Sequence, residues 1–212
     1  MKLSTSHTIK QRIEEAKASY KASDNISEFI SQGEVAELID EVEAAFDNVL
    51  DTLIIDTEND NNSRDTARRL AKMYVNELME GRYQPRPKVT AFPNTGHDRF
   101  EGMLTVKAEL VSMCSHHHQP VKGVAIIGLI PTGEVIGLSK YVRIAQWCAR
   151  RGQLQEELCN QIAKEIMKST DTENVGVYIE ATHGCMEHRG VMAHSSLTQT
   201  TVVHGLFHND AV

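Results

Sequence analysis

Val121-Lys-Gly-Val-Ala-Ile-Ile-Gly-Leu-Ile130, closed by Pro131-Thr-Gly-Glu134, is the stretch that decides the fold class of this chain. An apolar run rich in β-branched residues, ending in a Pro-x-Gly turn signal, reads as a strand. Just upstream, residues 103–112 alternate apolar and polar and give a second strand. Downstream, Ser139 reads as the N-cap of a helix that runs through Val142, Ile144, Ala145 and Trp147 to Arg151. Gly152 separates it from a second helix through Leu154, Leu158, Ile162 and Ile166. Two more strands follow, at 175–181 and about 195–203. The order strand-strand-helix-helix-strand-strand predicts an α+β domain, an antiparallel four-stranded sheet with both helices on one face. Such a sheet has two raw edges. Pairing edge to edge between subunits into a barrel removes them, so an oligomer is expected.

The chain before this region follows a different pattern. Residues 1–30 are polar, rich in Lys, Ser and Glu, and predict a loosely attached helical arm. From Gly33 to about Leu53 the residues Val35, Leu38, Ile39, Val42, Ala45, Phe46, Val49 and Leu50 recur at three and four, a helix with one buried stripe. Asp56-Thr-Glu-Asn-Asp-Asn-Asn62 is a solvated loop, and Ser63 is placed to cap a helix through Ala71, Met73, Val75 and Leu78 to Gly81. Pro85 and Pro87 then break the chain. The expected organisation is an N-terminal helical region over 1–86 and a sheet domain over 87–212.

Bulk properties narrow the partners. The 212 residues carry Lys+Arg 22 against Asp+Glu 29, a net charge of −7, which repels nucleic acid and anionic membrane. No apolar run approaches the roughly 18 residues that a membrane span needs. Met1-Lys-Leu-Ser-Thr lacks the apolar segment of a signal peptide. Four cysteines without the pattern of a small secreted domain favour a reducing compartment, so the cytoplasm is expected. Hydrophobic content of 41% with 5% aromatic is lean, and a core of that kind is often completed by neighbouring subunits.

The chemistry is concentrated in Cys114-Ser-His-His-His118 and His183-Gly-Cys185. Two thiolates and an imidazole are three soft or borderline donors, one short of a closed structural zinc site, which leaves a position for water or substrate. Spare histidines (His116, His118 and His183) would act beside that water as proton carriers near neutral pH. The residues alone predict a hydrolytic zinc enzyme. They also allow a closed zinc knot with His118 or His183 as fourth ligand. Taken singly, Lys140 and Arg143 read as a solvated helix face, Gln155-Glu-Glu157 as a wet helix surface, and Cys148 and Cys159 as buried thiols.

Several separated motifs resemble the GTP cyclohydrolase I family of the tunnelling-fold superfamily. They are Thr66-Ala-Arg-Arg-Leu-Ala-Lys-Met-Tyr74, Cys114-Ser-His-His117, Gly137-Leu-Ser-Lys140 with Arg143-Ile144, Gln153-Leu-Gln-Glu-Glu-Leu158, His183-Gly-Cys-Met186 with Arg189-Gly190, and Ser196-x-Thr-x-Thr200 with Gly205-x-Phe207. Each is weak alone, and their order and spacing together are specific. The resemblance implies a tunnelling fold whose sheets join between subunits, five closing a barrel and two rings stacking into a decamer. It implies Zn2+ held by Cys114, His117 and Cys185, with His116 and His183 as acid/base groups. It further implies a triphosphate clamp of Arg69, Lys72, Ser139, Lys140, Arg143 and Arg189, and a guanine-reading Glu156 with Gln155 beside it as a further substrate-binding residue. Ser139 is also expected to assist the later rearrangement. The substrate so implied is GTP, opened at C8 with loss of formate and rearranged to 7,8-dihydroneopterin triphosphate.

The chain also departs from the family pattern. Ser115 stands where most members carry Glu, and His118 where a large apolar residue is usual. A carboxylate lost beside a metal shell is an outer-shell change often worth about 10–100-fold. His208-Asn-Asp-Ala-Val212 replaces a longer helical tail, which bears on subunit packing more than on chemistry. Other readings are a diverged enzyme that stops at ring opening or takes another purine nucleotide, and a non-catalytic ring protein that binds GTP. A nitrile reductase on the same fold would need a nucleophilic cysteine and no such zinc pair, and Cys114-x-x-His117 argues against it.

Overall fold

The computed structural model describes residues 4–208. Residues 1–3 of the expected arm and 209–212 of the expected short tail lie outside them. The chain forms two compact units, one ending at Pro85 and one beginning at Arg86.

The first unit is helical: α1 (Thr5–Glu15), a 3-10 turn (Ser27–Phe29), α2 (Glu34–Thr52), α3 (Thr66–Met73), a π-helical turn (Tyr74–Leu78) and α4 (Glu80–Tyr83). Its first helix is no loose arm. Ile9 and Ile13, one turn apart, bury themselves with Ile26 and Leu38. The Ser4 hydroxyl accepts from the His7 N–H and caps the helix. Arg12 forks onto Glu34 at 2.7 and 2.8 Å and reaches the Phe29 carbonyl at 2.9 Å. Ile39, Ala71 and Val75 form a second cluster joining α2 to the helices after it. Ser63 does not cap α3. Its hydroxyl donates to Asp60, and the helix begins only at Thr66, with Asp65 at the cap position. Nor does one α-helix continue to Gly81, because the π turn interrupts it.

The second unit carries β1 (Ala91–Pro93), β2 (Leu104–Met113), β3 (Pro120–Leu129), β4 (Glu134–Ile136), α5 (Leu138–Ala149), α6 (Gln155–Thr170), β5 (Val175–His183), α7 (Gly184–Glu187) and β6 (Thr198–Val203), ending in a 3-10 turn (Gly205–His208). Strands β2-β3-β5-β6 form an antiparallel sheet in that order, and β1 pairs with β4 in a small separate ribbon. The register sets Ala108 against Ala125, Ala125 against Ile179, and Ile127 against Val177. Those residues share one face by the two-residue period of strands. They merge into a single core with Tyr141, Ile144 and Cys148 of α5 and Leu158, Ile162 and Ile166 of α6. Both helices therefore cover the same face. The opposite face carries Lys107, Glu109, Lys122 and Glu180.

Gly123 marks the tightest approach within the sheet, since a Cβ there would lie 2.0 Å from the Glu180 carbonyl oxygen. Ser139 is not the cap of α5. Gly137 holds that position and Ser139 is the second helical residue, within the first turn whose N–H groups lack helical partners. Among the described residues no helix is long and apolar enough to cross a membrane.

Candidate active site

The two chemical motifs meet because β3 and β5 are neighbours. Met113 pairs with Pro120, so residues 114–119 are the hairpin loop between β2 and β3. The Cys114 N–H donates to the Gln119 carbonyl at 2.9 Å, and the His118 N–H returns to the Cys114 carbonyl at 2.9 Å. His118 takes a left-handed conformation, φ 51°, to close the loop. Next along β3, Val121 pairs with His183, the last residue of β5. There α7 begins with Gly184, where a Cβ would come 3.1 Å from Pro120 Cδ. The glycine thus lets Cys185 follow at the base of the hairpin.

Here Cys114 and Cys185 come near enough that the Cys114 sulfur acts on the Cys185 thiol. Cys114 is buried and Cys185 half-buried. Burial pushes the Cys185 thiol up, the Cys114 sulfur pushes it further, and Arg189 acts in the opposite sense. His117 is exposed, and its Nε2 lies 3.0 Å from Arg189 Nη1. Arginine only donates, so that Nε2 accepts. His116 is exposed too, its ring edge-on to His117 at 6.4 Å between centroids.

Of the expected metal ligands the structure brings the two sulfurs together, while the His117 lone pair is turned to Arg189. Among the described residues no three His, Cys, Asp or Glu side chains converge as a metal-binding group. The donor chemistry nevertheless fits zinc. Two adjoining sulfurs that resist joint ionisation are the pair a divalent cation stabilises as thiolates, and an imidazole stands in the same loop.

His183 lies beside this pair. Burial holds its imidazole below the ordinary value of 6.5, and the carboxylates of Glu156 and Glu187 oppose that shift. Its Nε2 is 2.7 Å from Gln155 Oε1. Gln155 is buried, and its amide nitrogen also reaches β5 and β6. Glu156, the next residue of α6, is exposed. Glu187 was not among the expected site residues, and its only signal was an acidic residue close after Cys185.

Ser139 and Arg143 are exposed on α5, whereas Lys140 donates its ammonium to the Lys88 carbonyl at 2.9 Å. Arg189 is exposed after α7. Arg69 and Lys72 belong to the first unit, on α3; both are exposed, and Arg69 faces Asp65 at 3.5 Å.

An antiparallel sheet with two helices on one face, bearing two neighbouring cysteines and histidines at one end, is an α+β frame that gathers possible metal donors and proton carriers. The sequence model of the family described as GTP cyclohydrolase I matches residues 42–212. A GTP cyclohydrolase 1 of Aeromonas salmonicida (strain A449) is 40% identical over 170 residues, 79% of this chain and 77% of that protein. One of Vibrio cholerae serotype O1 is 37% identical over 174 residues, 81% of this chain and 79% of that protein. One of Yersinia pestis is 40% identical over 168 residues, 78% of this chain and 75% of that protein. The chain belongs to the GTP cyclohydrolase I family.

Proposed function

We propose that the chain is a zinc-dependent GTP cyclohydrolase, opening the purine of GTP at C8, releasing formate and forming 7,8-dihydroneopterin triphosphate. The observation that carries this reading is the meeting of the β2–β3 hairpin with the His183-Gly-Cys185 turn, which makes Cys114 and Cys185 neighbours, in a member of this family. Cys114, His117 and Cys185 would hold the zinc ion. Bound there, it would supply Lewis acidity that brings the deprotonation of water into the neutral range.

The remaining roles belong to side chains. His183 passes a proton to the ring nitrogen beside C8, and its half-burial keeps that proton from bulk water. His116 and Ser139 serve the proton transfers of the later rearrangement. Lys140, Arg143 and Arg189 hold the triphosphate, with the first-turn N–H groups at Ser139, and Arg69 and Lys72 are the further cations the family resemblance implies for it. A local basic cluster of this kind offsets the chain's −7. Glu156 accepts two hydrogen bonds from the N–H edge of guanine, which adenine cannot return. The open edges of β2 and β6 support an assembly closed by sheet pairing, a decamer of two five-membered rings. Four free cysteines suit the reducing cytoplasm.

The test is incubation of purified protein with GTP and zinc, following ultraviolet absorbance and formate together. Pterin absorbance with formate supports the reading. Formate without pterin marks a reaction that ends at ring opening, the outcome Ser115 makes worth looking for. Binding without turnover overturns it.

A further inference from the structure

Gln155 opens α6 with only 4% of its surface exposed. Its amide nitrogen lies 3.2 Å from the Ile179 carbonyl oxygen, 3.1 Å from the Thr198 carbonyl oxygen and 3.2 Å from Thr200 Oγ1. Peptide carbonyls only accept, so the group facing them has to be the NH2, sharing its two N–H bonds among three acceptors. Exchanging oxygen for nitrogen would set an amide oxygen against two carbonyl oxygens in a buried place, which costs free energy with nothing to offset it. Chemistry therefore fixes which end of the amide points where.

Oε1 points the other way, 2.7 Å from His183 Nε2. An amide oxygen has no proton to give, so Nε2 is the donor. Neutral His183 is then the Nε2–H tautomer, with its lone pair on Nδ1. The acceptors that hold Gln155 come from β5 and β6, so two adjacent strands set the ring that a third element, α6, touches.

We propose that Gln155 is a positioning residue for His183, fixing its ring as the Nε2–H tautomer so that Nδ1 is the atom that exchanges a proton with substrate. The identity of that substrate rests on the function proposed above. Both ends of the Gln155 amide are already engaged within the chain, which favours an indirect role over the substrate contact expected of Gln155. In the transfer, an imidazolium protonated on both nitrogens gives its Nδ1 proton to the purine nitrogen. The neutral Nε2–H form remains, still bonded to Gln155, so the amide need not move.

Two measurements on the full chain test this. The first is nitrogen magnetic resonance of protein labelled with 15N-histidine, the His183 signals assigned by their loss in His183→Ala. The neutral ring should show Nε2 protonated and Nδ1 bare; an Nδ1–H tautomer overturns the proposal. The second is Gln155→Met, where ring opening should slow about 10–100-fold while affinity for GTP changes less than about twofold. Weakened GTP affinity with unchanged turnover overturns the positioning role and restores a purine contact. If Gln155→Met does not fold, the spectrum of the unaltered protein still decides. Absence of turnover in the unaltered protein would overturn the proposed function, while the tautomer would still stand or fall on its own spectrum.

Discussion

At the scale of single residues, the four cysteines separate by environment rather than by sequence. Cys148 is fully buried, and burial pushes its thiol up to about 12. Cys159 is buried as well, hydrogen-bonded to the Val177 carbonyl at 3.2 Å. Thiolate is the reactive form, so both should resist alkylation in the folded protein. Mass mapping after mild alkylation of metal-free protein at about pH 8 should find Cys185 modified first and Cys148 untouched until denaturant is added. Early modification of Cys148 would contradict the packing described. Sequence could place Cys148 and Cys159 in the core, since each lies on an apolar helical stripe. It could not sort Gln155 from Glu156 and Glu157. All three polar residues open one helix, and which of them turns inward depends on how α6 sits on β5 and β6.

At the scale of elements, length governs what could be read. The strand at 121–130 and the helices after Gly137 and Leu154 declare themselves by composition and periodicity over two turns or more. The β1–β4 ribbon does not, because three residues on each side carry no period and Glu134 reads as part of a turn. The first helix reads from sequence as a loose arm for a related reason, since Ile9 and Ile13 are its only buried apolar residues. Its attachment leans on Arg12–Glu34. That arginine hydrogen bond holds the Glu34 carboxyl below its ordinary 4.5. A depressed carboxylate stabilises fully above the unfolded value, and that contribution fades as pH falls through the folded one. Amide exchange should show α1 protected at neutral pH and opening earlier than α2 on acidification below 4.5. Arg12→Met should loosen α1 already at neutral pH; equal protection in both proteins at every pH would count against the anchor. In the sheet, Gly123→Ala forces a methyl onto the Glu180 carbonyl and should destabilise the second unit by about 1–3 kcal/mol in denaturant melts. A neutral effect would mean that β3 and β5 are not so closely apposed.

At the scale of the whole molecule, β2 and β6 are each paired on one side only among the described residues. Unpaired strand edges invite further pairing, and the proposed ring gives them partners of their own kind. Sedimentation should therefore report a closed assembly of ten copies of the 23.7 kDa chain, whereas a stable monomer would contradict it. The fold class was legible in the sequence because it follows from six long elements in order. The proposed metal site was legible only as a set of donors, since spacing along the chain cannot say that His117 faces Arg189 while Cys114 and Cys185 become neighbours. The most direct measurement is zinc content against formate release from GTP, in the unaltered chain and in Cys185→Ala. About one zinc per chain and formate release are expected in the first, with both lost together in the second. Full turnover by metal-free protein, or by Cys185→Ala, would contradict it.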